Sequence, residues 1–377
     1  MFLSSCAGEQ DAELTVWSAE MDEDMITVMA DEFVSANRNV NSVSVVIVED
    51  NEARTTFEGD PAAAADVICI PHDQLGALVS QNFLAEITES KYLDKIKEST
   101  TPSVKAGQIG EKQYGFPSSF ETHMLFYDKS IVSDEAAQTL EGILASPLPG
   151  DGYQFAMEFG NAYFSANWFF TFGCYLFGEN GEDSSSVDFD SPDGVAAMTY
   201  LINNRESFGN LNGDEAVEMF REHKLGAFIG GPWHAAAMTE ALKGNYGCAM
   251  LPSVDGKPMK SFAGFKLYCV NSGSKSEAAA KDLAAWLTNS ENQKTRFQER
   301  NLIPVSKILA NDADLAASTT AKAVMAQGPN SIAMPSIPEM SNFWEPTGNF
   351  TLACFNGEIG IDELPDRLAE LVNQITG

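Results

Sequence analysis

The chain has 377 residues and a formal net charge of −31, from 54 acidic and 23 basic residues. This length is enough for two domains of ordinary size, and a hydrophobic content of 44% supports a substantial core. The negative charge argues against binding nucleic acid, and against docking to anionic lipid, because both need clustered Lys and Arg. A solubilising surface is the simpler explanation of the charge, and a site for cations such as polyamines is the alternative.

The N-terminal residues resemble a lipid-attachment signal. Leu3-Ser4-Ser5-Cys6 has the apolar, small, small, cysteine order of a lipobox, and an acidic polar stretch follows it. We therefore expect residues 1–11 to be lipobox and tether, with a lipid on Cys6 that holds the protein at the extracellular face of the cell membrane.

The other cysteines give no metal or redox motif. None of the six forms a C-x-x-C pair, so the sequence does not predict a zinc ribbon or a thioredoxin-like site. Cys69, Cys248 and Cys269 lie in apolar, strand-like runs, which is typical of buried free thiols. A disulfide between Cys174 and Cys354 stays an open alternative.

The first half of the chain alternates strand and helix patterns. β-Branched and apolar runs predict strands at residues 14–17, 43–48 and 66–70, and apolar spacing predicts helices at 22–36 and 72–84. Residues 114–117 interrupt the pattern, and residues 124–127 resume a strand. This alternation predicts an α/β fold, with a domain crossing near residues 118–121.

The second half continues in the same way. Ser191-Pro192-Asp193 predicts a helix start, with Ser191 as N-cap and Pro192 in the first turn. Apolar runs predict strands at 225–229 and 265–270, and residues 281–287 have helical spacing that places Trp286 in the core.

Several aromatic residues follow loop signals instead of core patterns. Gly230-Gly231-Pro232-Trp233 delivers an indole at the end of a buried strand, where open α/β sheets bind ligands. Two prolines precede Trp344, which we expect at the start of a helix. Trp17 and Tyr163 lie at a strand end and in a loop-like setting. Such dispersed aromatics predict a cleft that stacks against flat ligand faces, as sugar rings have.

Sequence motifs for catalysis are missing. No Walker A, G-x-S-x-G or G-x-G-x-x-G motif occurs, and no histidine pair has metal-ligand spacing. We expect no metal and no cofactor. Asp73 and Glu121 are the best candidates for a glycosidase pair, which would make the protein a hydrolase. The alternative, which we favour, is that they accept hydrogen bonds from ligand hydroxyls and the protein is not an enzyme.

These residues together resemble a known family. The chain is similar, after residue 12, to the extracellular solute-binding proteins of ABC sugar importers, most closely the maltose/maltodextrin-binding branch. The motifs that carry the resemblance are spread along the chain: Asp66-Val67-Ile68-Cys69-Ile70-Pro71-His72-Asp73, Asn82-Phe83-Leu84-Ala85-Glu86-Ile87, Phe228-Ile229-Gly230-Gly231-Pro232-Trp233, Asn245-Tyr246-Gly247, Leu251-Pro252, and the stretch that ends in Phe343-Trp344.

The resemblance implies an α/β, two-lobed clamp of the periplasmic-binding-protein type II class, with a ligand cleft between the lobes and three hinge crossings. The N-terminal lobe is expected at 12–119 plus 268–318, and the C-terminal lobe at 120–267 plus 319–377. It also implies a sugar site: Glu52, Asp73 and Glu121 bind hydroxyls, Tyr163, Trp233 and Trp344 stack on sugar faces, and Met334 lies near the ligand's end. Trp17, at a strand end, is a further candidate for ligand contact.

The chain also departs from the maltose-binding pattern. Gln74 stands where that pattern has arginine, and Gly348 where another arginine is expected. Ala235 replaces a second tryptophan, Ile70 replaces an aromatic residue, and Asp22 stands where a basic residue is expected. The stacking aromatics therefore match the family better than the residues that read the sugar hydroxyls.

The resemblance implies a monomeric receptor that captures malto-oligosaccharides outside the membrane and delivers them to ABC permease subunits. Lobe closure around the sugar would follow motion at the crossings. A receptor for another oligosaccharide or a disaccharide is the first alternative. A polyamine receptor and a glycoside hydrolase are the others. The ligand's linkage and chain length are not predicted.

Overall fold

The computed structural model describes residues 12–377. The lipobox and tether at residues 1–11, including Cys6, lie outside the described residues. In chain order, the strands are β1 (Ala12–Ser18), β2 (Val40–Ile47), β3 (Val67–Pro71), β4 (Gln108–Ile109), β5 (Lys112–Gln113), β6 (Gly115–Thr122), β7 (Met124–Asp128), β8 (Tyr153–Met157), β9 (Phe208–Asn210), β10 (Leu225–Gly230), β11 (Tyr246–Ala249), β12 (Ser253–Val254), β13 (Lys257–Pro258), β14 (Ser261–Val270), β15 (Ile303–Pro304) and β16 (Ser331–Ala333).

The helices alternate with these strands. In chain order, they are α1 (Glu23–Ala36), α2 (Ala53–Gly59), α3 (Leu75–Ser80), α4 (Ser90–Ile96), α5 (Thr101–Ala106), α6 (Leu140–Leu144), α7 (Ala162–Phe172), α8 (Pro192–Asn204), α9 (Gly213–Arg221), α10 (Ala235–Ala241), α11 (Glu277–Leu287), α12 (Ser290–Arg300), α13 (Ala313–Ala317), α14 (Thr319–Gln327), α15 (Trp344–Asn356) and α16 (Leu364–Thr376). Short 3-10 turns join several of them.

The described chain divides into two compact units. The first contains the described residues up to Ser119 with Phe265–Arg296 and Pro304–Leu309, and the second contains Phe120–Gly264, Phe297–Ile303 and Ala310–Gly377. These ranges differ from the predicted lobes at 265–267, 297–303 and 310–318. Phe297 and Ile303 belong to the second unit because they are buried in one of its apolar clusters. The predicted boundaries and the three crossings stay predictions.

The first unit is built on a mixed sheet in which β6, β14, β3, β1 and β2 follow one another. β1 runs parallel to β2 and to β3, whereas β14 runs antiparallel to β3. Alternate residues of β3 enter different clusters: Val67 and Cys69 pack in one, Ile68 and Ile70 in another. Successive side chains of a strand point to opposite faces, so both faces of β3 are covered.

The second unit has its own five-stranded sheet, in the order β11-β7-β10-β8-β9. β10 runs parallel to β8 and antiparallel to β7. Leu125 and Tyr127 of β7 enter the largest apolar cluster, while Met124 and Phe126 enter a second one, so this sheet is also covered on both faces. The α/β prediction is confirmed in both units.

Several local predictions are confirmed by the helices and strands. α1 begins at Glu23, and Trp344 is the first residue of α15. Ser191 caps α8, because its Oγ accepts a hydrogen bond from the backbone N–H of Gly194 at 3.4 Å. The expected interruption at residues 114–117 is wrong after Tyr114, since β6 runs without a break from Gly115 through Pro117 to Thr122.

Candidate functional site

Three half-buried aromatic side chains of the second unit stand at the ends of regular elements. Tyr163 lies in the first turn of α7, which is capped by Asn161, whose side chain accepts from the Tyr163 backbone N–H at 3.1 Å. Trp233 lies in the 3-10 turn Pro232–His234, directly after β10. Trp344 opens α15. These positions fix each ring on a rigid element while part of it stays accessible.

Two of these rings, Tyr163 and Trp344, lie next to one buried phenylalanine, and Trp233 lies next to Tyr163. The Phe262 ring is fully buried, and its centroid lies 6.3 Å from that of Tyr163 and 5.9 Å from that of Trp344. The Tyr163 centroid is in turn 6.4 Å from that of Trp233, with the planes tilted by 35°. We call Tyr163, Trp233 and Trp344, together with Phe262, the aromatic platform. Adjacent aromatic faces of this kind suit the apolar C–H faces of sugar rings.

His123 packs against Tyr163 of the platform. Its ring is fully buried, lies 4.4 Å from the Tyr163 ring between centroids, and meets it edge-on. Nδ1 of His123 lies 3.0 Å from the side-chain amide of Asn167. Burial lowers the pKa of His123 to about 3, because the charged imidazolium loses its hydration there. A neutral imidazole is therefore part of the packing against the platform.

Glu121 and Met334 also lie in the second unit. Glu121, near the end of β6, is only 7% exposed and lies against the main chain of Gly264, where a Cβ would come within 2.8 Å of its Cγ and 2.9 Å of its Oε1. Met334 is 5% exposed and packs in the largest apolar cluster, and its backbone N–H donates to the Ala263 carbonyl at 3.3 Å.

The first unit holds the other predicted site residues. Asp73 lies in the turn His72–Gln74 after β3 and is 8% exposed, whereas Glu52 is exposed at the end of the turn Asp50–Glu52. Trp17 is 4% exposed and packs edge-on against Phe57, with centroids 6.1 Å apart. The first unit therefore presents two carboxylates near strand ends, and it uses the indole of Trp17 in its core.

Gln74 connects the two turns that carry these acids. Its Oε1 accepts from the backbone N–H of Arg54 at 3.0 Å, and its Nε2 donates to the carbonyls of Asn51 at 2.8 Å and Asp50 at 3.2 Å. The Asp50 carboxylate also pairs with Lys266 at 2.7 Å. Neither the Gln74 bonds nor the Lys266 pair follows from sequence spacing, because the partners are distant in the chain.

Other residues that depart from the maltose-binding pattern are buried or closely packed. Gly348 in α15 approaches the segment just before α7 so closely that a Cβ there would lie 2.3 Å from the Gly160 carbonyl oxygen. Ala235 is 3% exposed, and Ile70 is fully buried. An arginine at Gly348 would require the backbone to shift.

Sequence reasoning missed two residues of this region, Phe262 and His234. Phe262 precedes the predicted strand at 265–270, whereas β14 begins at Ser261. Phe262 could have been found by extending the predicted strand from residue 265 back to residue 261. His234 lies beside Trp233, and its role depends on a side-chain geometry that the sequence does not encode.

Residues 12–377 contain neither a candidate metal site nor a disulfide. This part of the chain contains no group of three or more His, Cys, Asp or Glu side chains placed to hold a metal ion. Its five cysteines, including Cys174 and Cys354, are free. Burial raises the pKa of both thiols to about 12, which keeps them protonated. Among the described helices, none has the length and apolarity needed to cross a membrane.

Comparison with known proteins places this architecture in a family. The family model for bacterial extracellular solute-binding proteins matches residues 28–323. The galactooligosaccharide-binding protein of Bacillus subtilis (strain 168) is 30% identical over 97% of this chain and 90% of its own length. The maltooligosaccharide ABC transporter solute-binding lipoprotein of Streptococcus pneumoniae (strain ATCC BAA-255 / R6) is also 30% identical, over 81% of this chain and 75% of its own.

Solved structures give the same result for the fold. A cyclo/maltodextrin-binding protein complexed with maltotetraose superposes with a TM-score of 0.80 at 26% identity, over 98% of both chains. The maltodextrin-binding protein MalE1 from L. casei BL23, without ligand, gives a TM-score of 0.85 at 24% identity, over 97% of this chain and 99% of its own.

The predicted two-lobed clamp is confirmed by these likenesses, and the predicted resemblance is confirmed by the family match. The family consists of binding proteins, so the hydrolase alternative for Asp73 and Glu121 is set aside. This chain belongs to the bacterial extracellular solute-binding protein family.

Proposed function

We propose that this protein captures malto-oligosaccharides outside the membrane and delivers them to the permease of an ABC importer. The observation that carries the proposal is the aromatic platform, in which Tyr163 and Trp344 flank the buried Phe262 and Trp233 lies next to Tyr163. Neighbouring half-buried rings suit a ligand with several linked rings, because each sugar presents an apolar C–H face to an aromatic face.

The proposed site divides the work between two kinds of side chain. The platform residues stack on sugar faces, and Glu52, Asp73 and Glu121 accept hydrogen bonds from hydroxyls. Met334 and Trp17 line the site as apolar walls at most, since both are almost fully buried. The proposal also includes a cleft between the two lobes and closure around the sugar by motion at three crossings.

Galacto-oligosaccharides are the second candidate ligand. The observation that favours them is the relative named for galactooligosaccharide binding, which spans 97% of this chain. The platform alone does not discriminate, because galactose also has an apolar face for an indole. Discrimination would come from the carboxylates, whose hydrogen bonds depend on whether the hydroxyl at C4 is axial or equatorial.

An isothermal titration panel tests the proposal. Maltotetraose, β-1,4-galactotriose, xylotriose, sucrose and spermidine are titrated into the purified protein. Saturable binding of maltotetraose, tighter than of the other four, is the expected result. If galactotriose binds most tightly, the ligand is a galacto-oligosaccharide instead. If only spermidine binds, both sugar proposals are contradicted.

The proposal also covers location and assembly. Cys6 would carry a lipid that holds a monomeric protein beside its permease. The intact mass of protein extracted from bacterial membranes is expected to exceed the polypeptide mass by an acylated glyceryl group, and Cys6→Ser is expected to appear unmodified in the medium. Light scattering on the Cys6→Ser protein is expected to give the mass of one chain.

A further inference from the structure

Gln74 uses both the oxygen and the nitrogen of its amide in hydrogen bonds within the first unit. It is 7% exposed, and its three bonds all go to backbone groups of the segment from Asp50 to Arg54. An amide side chain combines one acceptor oxygen with two N–H donors, so it can bind a carbonyl pair and a backbone N–H at once. Arginine, which the maltose-binding pattern has at this position, carries donors only and could not accept from the Arg54 N–H.

The segment that Gln74 holds is the start of α2. Glu52 is the N-cap residue of this helix, and its side chain makes no capping hydrogen bond. The Arg54 N–H belongs to the first turn, whose N–H groups have no partner within the helix. Gln74 therefore acts as a cap supplied by another part of the chain. It fixes the residue at which α2 begins, and it fixes the position of the Glu52 backbone from which the side chain extends.

A second contact holds the other end of the same turn. The Asp50 carboxylate pairs with Lys266 at 2.7 Å, and both side chains are largely buried, at 15% and 20% exposure. Glu52 itself stays exposed between these two attachments. A rigid backbone under an accessible carboxylate is what a hydrogen bond to a ligand hydroxyl needs, because the side chain then loses less freedom on binding.

We propose that Gln74 is a positioning residue for Glu52: its amide fixes the turn Asp50–Glu52, and thereby the Glu52 carboxylate, in the geometry that binds a sugar hydroxyl. The inference rests on the proposed function. Gln74 makes no contact with the sugar in this account. Its contribution to affinity passes through Glu52, so it disappears when Glu52 is removed.

The first test needs no ligand. Gln74→Met keeps the length of the side chain and removes its hydrogen bonds. Gln113→Met is the matched control, because Gln113 lies in the same unit, is 4% exposed and donates to backbone carbonyls of Gly115 and Val104. Hydrogen exchange followed by mass spectrometry is expected to become faster at residues 50–54 in Gln74→Met and to stay unchanged there in Gln113→Met. Unchanged exchange at 50–54 in Gln74→Met overturns the proposal, whatever the ligand is.

The second test is a double-mutant cycle with maltotetraose or galactotriose, whichever the wild type binds more tightly. Gln74→Met and Glu52→Ala are each expected to weaken binding by roughly tenfold, and the double variant by no more than Glu52→Ala alone. Gln113→Met is expected to bind as the wild type does.

The outcomes separate this inference from the proposed function. Independent losses that multiply in the double variant mean that Gln74 acts on the sugar directly, which overturns the positioning role. Wild-type affinity in Glu52→Ala or in Gln74→Met overturns it as well. A wild type that binds no sugar refutes the proposed function itself, and the exchange experiment then still decides whether Gln74 holds the turn.

Discussion

The indole Nε1 of Trp233 donates a hydrogen bond to Nε2 of His234, its neighbour in the chain, at 3.2 Å. An indole N–H only donates, so Nε2 is unprotonated in this bond and Nδ1 carries the ring proton. The Gly231 N–H, 3.3 Å from Nδ1, can donate to the ring only in the other tautomer. The bond occupies the polar edge of Trp233.

This orientation depends on two glycines. A Cβ on Gly231 would lie 2.2 Å from the Trp233 ring, and a Cβ on Gly213 would lie 2.2 Å from Nε2 of His234. Burial lowers the pKa of His234 to about 4, against a smaller opposing effect of Asp214, so the neutral ring persists well below neutral pH. In the tautomer with an unprotonated Nε2, His234 therefore holds Trp233 as a hydrogen-bond acceptor.

We expect His234→Phe to weaken sugar binding by roughly 0.5–1.5 kcal/mol, the usual worth of one hydrogen bond. His234→Gln keeps an acceptor in this region and is expected to lose less. Titration calorimetry at neutral pH measures both. In the wild type the affinity should fall as the pH drops through about 4, because the protonated ring cannot accept from Trp233. Equal affinity in His234→Phe and wild type would contradict the positioning of Trp233 by His234.

Loss of either platform indole is expected to cost affinity. Trp233→Ala and Trp344→Ala should each weaken binding of the preferred oligosaccharide by roughly 1–3 kcal/mol, if a stacking contact is lost. The control is Trp286→Phe in the first unit, where the indole packs near Phe33 and donates to the Met29 carbonyl at 2.9 Å. This variant should lower the melting temperature without changing the affinity. Unchanged affinity in both platform variants would show that the platform is not the sugar site.

A methyl group at Gly264 is expected to displace Glu121. The added Cβ would lie 2.8 Å from the Glu121 Cγ, closer than real contacts allow, and the nearly buried side chain has little space to move. Gly264→Ala should therefore weaken binding about as much as Glu121→Ala, by roughly 1.5–3 kcal/mol for a lost bond to a charged acceptor.

Gly59→Ala at the end of α2 is the matched control, because nothing lies within 4 Å of its Cβ position. It should bind sugar as the wild type does. If Gly264→Ala also retained wild-type affinity while Glu121→Ala lost it, the close approach of Glu121 to the Gly264 backbone would be irrelevant to binding.

Stability should fall in mild acid because of His123. Its pKa is about 3 in the folded protein and near 6.5 when unfolded, so the unfolded state binds more protons between these values. The stabilisation is complete above the unfolded pKa and is lost as the pH falls towards 3. Between about pH 7.5 and about pH 5, His123 alone should lower the free energy of unfolding by roughly 2 kcal/mol.

Urea unfolding at the two pH values measures this effect in the wild type and in His123→Gln, which keeps an amide for Asn167. The carboxylates contribute to both proteins, so the difference in slope isolates the histidine. Identical pH dependence in the two proteins would mean that His123 is not buried in its neutral form.

The sequence predicted elements well where one physical signal dominated. β-Branched runs located β1 to β3, and the Ser191-Pro192 pair located the start of α8, because strand burial and helix capping are local. Residues 114–117 were misread because a proline within a strand resembles a break, although the strand needs an N–H only where a neighbour accepts it.

The sequence predicted most of the residues of the proposed site, but it did not predict how they are arranged in space. Trp233 and Trp344 follow turn signals that indicate a ring at the end of an element. Gln74 could equally have faced a ligand, and only the folded chain brings Arg54 to its oxygen. The aromatic neighbours of Phe262 and the approach of Glu121 to Gly264 likewise join segments distant in sequence, which no periodicity encodes.

A crystal structure with the oligosaccharide that titrates most tightly tests the central claim most directly. The account predicts sugar rings stacked on the exposed faces of Trp233 and Trp344, with ring carbons about 4 Å from the indole planes. It also predicts a Glu121 oxygen within hydrogen-bonding distance of a hydroxyl. A bound sugar that touches neither indole would contradict it.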